Sequence, residues 1–480
     1  MMRNHRTTRP LASATLGALL LAQACSDPTT VPDLNNLPDA VIADGLNANT
    51  AQLLTTGLIN RDRGVGGFRH LIFAGTLARD VYNIDPSEPR FQQELMGNAI
   101  DAAGFIGGGG LTWNDAYNGV RTANTILEGI GSAADLTEAQ RQGVRGIAHT
   151  FKALLLYRTW ELRGPNGIPT DVSPIEASGS ALRPISCEAS ALASIGAVLD
   201  SGYAELQAAG ATFGVRLPAG FASNGAFDTP AGFARFNRGL KARAEVYRGL
   251  IGARQQSFRD ALTALDASFV DASAATTAGV YHAFGAAPDL TNPLAVGTVF
   301  LNPTIAAPAP GSGLFTNRQG LQAGDQRQAK VIFRTEPVAR NGVSTTFGTT
   351  LASASATTQT RPLAILRNAE LLLLRAQARL ELGQLAEATA DVNAVRTREG
   401  GLAALPTFTS RAEGVQAVLY EKRFSLLLEG AQRLVDLRAY NLLNPTYLGP
   451  SQRGTADAFQ AALPIPQQER DARGGAVSCQ

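Results

Sequence analysis

Residues 361–401, RPLAILRNAELLLLRAQARLELGQLAEATADVNAVRTREGG, followed by residues 419–440, LYEKRFSLLLEGAQRLVDLRAY, decide how this chain is built. In the first part Leu366, Ala369, Leu373, Ala376 and Leu380 recur at three- and four-residue spacing, which predicts one apolar helical stripe ending at Gly383. A second helix follows at once, with Ala388, Val392 and Val395 at helical spacing. Small residues at Ala376 and Ala388 let the two helices approach closely, but a lone hairpin cannot bury its own face, so partners are expected elsewhere. The second part reads as one long, charge-laced helix. Phe424, Leu427, Leu428 and Leu434 form its apolar face, and Glu429 with Arg433 and Arg433 with Asp436 stand at ion-pair spacing. Charges set among bulky apolar residues point to a partly buried network rather than a solvated face.

The hairpin has the physics of a tetratricopeptide-like pair, and Phe233, Leu240, Ala244 and Tyr247, followed by a helix over residues 256–269, predict another. The charged segment resembles the C-terminal signature of the SusD/RagB family, E-R-x-x-E-L-x-x-E-G-x-R-x-x-D-L-x-R. Glu421, Arg423, Glu429, Gly430, Arg433, Asp436, Leu437 and Arg438 fill it, with Lys422 and Ser425 as departures. Trp113, Tyr117, Val120 and Asn124 resemble the family's W-x-x-x-Y-x-x-I-x-x-x-N run, and Ile465-Pro466 through Glu469 its I-P-x-x-E element. The resemblance implies a mainly α fold, with tetratricopeptide-like hairpins forming a curved scaffold and a loop-rich irregular lobe with a few short strands.

The N-terminus is the second strong signal. Arg3, Arg6 and Arg9 lead into LASATLGALLLA, too short to span a membrane but suited to a secretory signal, and Cys25 after Leu21-Ala22-Gln23-Ala24 resembles a lipobox whose thiol is acylated. Soluble periplasmic export is the alternative. Export places Cys187 and Cys479 in an oxidising compartment, where we expect a disulfide between them; two separate thiols are the alternative. Without those three arginines the 480-residue chain carries 39 basic against 40 acidic residues, too balanced for a nucleic-acid binder.

The expected organisation is a signal peptide over residues 1–24, a lipidated tether over 25–46, an N-terminal helical region over 47–270, a loop-rich insertion over 271–360, and a C-terminal helical region over 361–480. Helices are expected over residues 47–59, 68–79, 144–163 and 187–209, with a glycine break at residues 64–67 and a start at Asp228-Thr229-Pro230. Residues 79–97, with two prolines and mixed charge, read as a surface loop whose Asp80, Tyr82, Asn83 and Arg90 are candidate ligand contacts. In the insertion, where helical periodicity fades and AKVIFR reads as strand, the candidates are Tyr281, His282, Phe284, Phe315, Arg327, Arg334 and Phe347.

Other chemistry is not signalled. Gly107 to Gly110 lack the Lys-Ser/Thr of a phosphate loop and read as a flexible helix entry. His70, His149 and His282 stand far apart, without metal spacing; His149 falls beside an apolar stripe and reads as a packed residue. No G-x-S-x-G elbow occurs. No cofactor, metal or catalytic residue is expected. The family resemblance implies a lipoprotein at the bacterial outer-membrane surface, capturing a glycan or other nutrient for a SusC-like TonB-dependent transporter. A surface glycan hydrolase and a tetratricopeptide-type adaptor are the alternatives.

Overall fold

The computed structural model describes residues 45–97, 99–172, 182–286, 289–305, 320–449, 453, 457–475 and 477–480. The signal segment, most of the tether, Cys25 and Phe315 lie outside the described residues. Residues Leu46–Gln480 form one compact unit. Its helices are α1 (Ala48–Val65), α2 (Phe68–Leu77), α3 (Arg90–Gln93), α4 (Gly110–Gly129), α5 (Glu138–Arg163), α6 (Glu188–Ala208), α7 (Pro230–Gly252) and α8 (Gln255–Asp266). They continue with α9 (Ala356–Thr360), α10 (Asn368–Glu381), α11 (Leu385–Glu399), α12 (Arg411–Ser425), α13 (Gln432–Ala439), α14 (Pro445–Leu448) and α15 (Gln467–Ala472). The strands are β1 (Val81–Asn83), β2 (Gly279–His282), β3 (Val299–Leu301), β4 (Val331–Arg340), β5 (Val343–Thr349) and β6 (Leu363–Arg367).

Successive long helices pack as neighbours from α4 through α8, and α8 passes the series on to α10, α11 and α12. The mainly α fold of helical hairpins with short strands is therefore what the chain adopts. Local chemistry sets the ends. A capping box of Thr137 and Gln140 starts α5, while the Thr229 hydroxyl caps α7 and Pro230 takes its first turn, where the missing N–H costs nothing. Gly383 stops α10 at φ +77°, a region that side chains disfavour. Leu373, Ala376 and Leu380 of α10 then meet Ala388, Val392 and Val395 of α11 and Val418 of α12 in one core.

Four boundaries differ from the sequence reading. Helix α1 runs on to Val65, and the break falls at Gly66 and Gly67, where a Cβ on Gly66 would stand 2.4 Å from Arg158 Cζ. Leu366 lies not in α10 but in β6, which pairs antiparallel with β2, so the helix starts two residues later. Residues 79–97 do not form a surface loop: Val81, Tyr82, Phe91, Leu95 and Met96 are buried, because β1 joins a sheet instead of running over the surface. The long charged helix is two, α12 and α13, separated by a turn in which Leu428 adopts φ +58°.

Two sheets complete the unit. A four-stranded antiparallel sheet runs β1-β3-β5-β4, and β2 pairs with β6. Asn341 and Gly342, at φ +49° and +84°, make the tight β4–β5 hairpin turn. One face of the larger sheet buries Tyr82, Ile84, Met96, Phe300 and Val343. Strand β4 is its outer edge and is exposed along most of its length.

Candidate functional site

The charged signature is a clamp. Its side chains do not pair along their own helix, as the spacing suggested, because the turn before α13 rotates them toward different elements. Glu421 meets Arg327 at 2.5 Å and Arg396 at 3.1 Å. Lys422 donates to Tyr247, Gln377 and Asp436 within 3.0 Å. Arg423 and Arg433 both approach Asp80, each at 2.9 Å. Glu429 takes Arg367 at 2.6 Å, and Arg438 donates to the Glu161 carbonyl at 2.7 Å. One short segment thus ties α2, α5, α7, α10, α11 and the region around β4 together. Burial and the neighbouring Arg433 pull the Arg423 guanidinium down to about 10.

A second buried centre joins α1, α5 and β2. Asp62 accepts from Arg158 Nε at 2.6 Å and lies 2.8 Å from His282 Nε2. Burial alone would raise the Asp62 carboxyl, but Arg158 and His282 hold it far below the usual range; burial lowers His282. His70 likewise faces Glu161 at 2.9 Å, and His149 faces Glu205 at 2.7 Å. Among the described residues no group of His, Cys, Asp and Glu gathers as a metal site.

The family-like run on α4 also binds framework. Trp113 is buried with the Arg163 guanidinium 4.9 Å from its ring; Tyr117 donates to the Pro169 carbonyl at 2.8 Å and Asn124 to that of Val172. Cys187, just before α6, is joined by a disulfide to Cys479, with Cα atoms 4.8 Å apart.

The ligand candidates divide by exposure. Asp80, Tyr82 and Asn83 are buried: Asp80 serves two guanidiniums, and the Tyr82 hydroxyl accepts from Asn302 at 2.6 Å. His282 and Arg327 are buried in ion pairs, and Tyr281 is buried with its hydroxyl on the Thr277 carbonyl. Access to any of them requires displacing those partners. Phe284, half-buried, lies under Arg63 at 5.5 Å. Arg90 and Arg334 are exposed, the first stacked 4.4 Å from the Phe105 ring, the second 5.8 Å from Phe300.

The accessible groups converge on the larger sheet. The hairpin tip touches α3 where Asn341 donates to Gln92 at 3.2 Å, which brings Arg90 and the β4–β5 hairpin onto one lobe. On β4, Phe333 is 56% exposed and stands edge-on to Phe347, 5.6 Å away, at directly paired positions. Pro337 lies within the irregular part of β4, where it removes a donor from the sheet edge. The sequence reading missed Phe333 although Val331-Ile332-Phe333 carried a signal: three consecutive apolar residues of one strand cannot all face one core. Phe105, flanked by Arg69 at 4.6 Å and Arg90, was missed as well.

These observations define a helical-hairpin framework, locked by buried ions, that carries an aromatic and arginine-bearing sheet lobe. Residues 322–476 match the model of the SusD family. The fold is shared with a SusD superfamily protein from Parabacteroides distasonis (TM-score 0.66, 12% identity, 89% of this chain and 97% of that one). It is shared also with a SusD-like protein from Bacteroides fragilis (0.63, 16%, 90% and 96%) and with the surface glycan-binding protein A of Bacteroides uniformis (0.62, 17%, 89% and 98%). No curated protein matches the chain. The resemblance read in the signature is thus shown: the chain is SusD-like, by family model in its C-terminal part and by fold over most of its length.

Proposed function

We propose that this protein is a cell-surface binding lipoprotein that captures a glycan or other nutrient and delivers it to a SusC-like TonB-dependent outer-membrane transporter. The observation that carries the binding half is Phe333, a large aromatic ring left open on a sheet edge and braced by Phe347. Sugar rings present apolar C–H faces that stack on such a ring, while Arg90 and Arg334 on the same lobe supply donors for hydroxyls. Capture of this kind breaks no bond. The name of the Bacteroides uniformis relative, a surface glycan-binding protein, supports the ligand class. Among the described residues no helix is long and apolar enough to cross a membrane, so the proposed attachment rests on acyl chains at Cys25, each buried CH₂ contributing about 0.8 kcal/mol.

The test is affinity electrophoresis of the mature protein through gels containing each of a panel of polysaccharides. At least one glycan should retard it, and Phe333→Ala should weaken that retardation tenfold or more with an unchanged melting temperature. Equal retardation of wild type and variant would remove Phe333 from the site.

A further inference from the structure

The turn between α12 and α13 and the inner side of α2 enclose a crevice of about 20 Å³, room for one water-sized group. Its walls are apolar, from Leu71, Ala74, Leu427 and Leu434; its polar lining is Asp80, Lys422, Arg423 and Arg433. Three cations therefore face one carboxylate. Asp436, outside the crevice, answers Lys422 at 2.9 Å. Asp80 Oδ1 takes the hydrogen bond of Arg423 Nε at 2.9 Å. Arg433 Nε is as close to that same oxygen but misaligned, so this buried N–H makes no hydrogen bond.

A carboxylate shared in this way leaves Arg433 short of both an acceptor and a counter-charge, which is costly in a desolvated place. The crevice is lined as well by Gly430, Ala431 and Gln432, where α13 begins with Ala431 as N-cap and no side-chain cap. The first-turn N–H groups and the positive end of the helix dipole thus add to the charge excess.

We propose that this crevice binds a small monovalent anion, a halide or the carboxylate head of a short organic acid, between the Arg433 guanidinium and the first turn of α13. The ion supplies the missing acceptor and locks the Leu426-to-Ala431 turn, so it acts on the framework and not on the glycan lobe.

The test uses the mature wild-type protein and two variants. Crystals soaked in sodium bromide should show an anomalous peak within hydrogen-bonding reach of Arg433 and the α13 amides. A second soak containing sodium acetate in excess should remove the peak if a carboxylate is the preferred occupant and leave it if a halide is. In solution at constant ionic strength, bromide should raise the melting temperature saturably by about 2 °C. Arg433→Gln should lose that rise, and so should Gln432→Glu, whose built-in carboxylate takes the ion's place without emptying Asp80 of partners. Crystals that hold bromide elsewhere but not in the crevice, or an undiminished saturable rise in both variants, would overturn the proposal.

Discussion

At the scale of the residue, the framework depends on buried charges that are individually expensive to remove. Glu421 is the sharpest case, since it stands between Arg327 and Arg396 with almost no solvent contact. Glu421→Gln would leave two buried guanidiniums short of a counter-charge, and the expected loss is about 3–5 kcal/mol in urea unfolding. Replacement of exposed Glu138, which pairs with Arg141 on the surface, should cost less than about 1 kcal/mol in the same assay. Glu399 sets a pH dependence. Burial opposes its charge, but Arg367 overcomes this and brings the folded carboxyl down to about 2 from an ordinary 4.5. A carboxyl lowered on folding contributes stability above its unfolded value and loses it as the pH falls toward the folded one. The protein should therefore weaken between about pH 5 and 2, and Glu399→Gln should flatten that part of the curve while lowering stability at pH 7. Urea midpoints measured across this range decide it.

At the scale of the element, the disulfide closes the chain. Cys479 binds Cys187 at the start of α6, and the Gln480 carbonyl accepts from the Cys187 N–H at 3.1 Å, so the last residues are held at a helix entry 292 positions away. Cys187→Ser with Cys479→Ser should lower stability by about 2–5 kcal/mol, with the helix content of the folded protein unchanged by circular dichroism. This scale also shows how far the sequence could be read. Helices α5, α7, α10 and α11 were legible because their apolar stripes and end signals agree. Strand β6 was not, since Leu363 to Arg367 continue the apolar pattern of α10 and only pairing with β2 separates them. The break before α13 was hidden for a related reason: Leu426, Leu427 and Leu428 suit a helix, and the left-handed backbone at Leu428 is imposed by the ion pairs around it rather than by its residue type. Asp80 and Tyr82 looked like loop chemistry because a three-residue strand carries no periodicity. Their partners lie more than two hundred residues away.

At the scale of the whole molecule, rigidity and binding are assigned to different parts. The signature residues clamp helices from both halves of the compact unit, while the open aromatic and guanidinium groups lie on the sheet lobe, whose edge strand has little packing to lose. Substitutions in the clamp should therefore change stability, and those on the lobe should change affinity alone. That separation explains why the signature was readable and the ligand surface was not. The clamp needs fixed residue types at fixed spacing, whereas an exposed ring on an edge strand leaves no regular pattern. The account as a whole predicts that the chain works beside a transporter. The most direct measurement is gentle detergent extraction of native outer membranes carrying an affinity-tagged copy, followed by mass analysis of what co-purifies and of the mature N-terminus. A large TonB-dependent barrel in near-equal amount, with acylated Cys25 as the first residue, is the predicted result. An unacylated chain recovered without any barrel would contradict it.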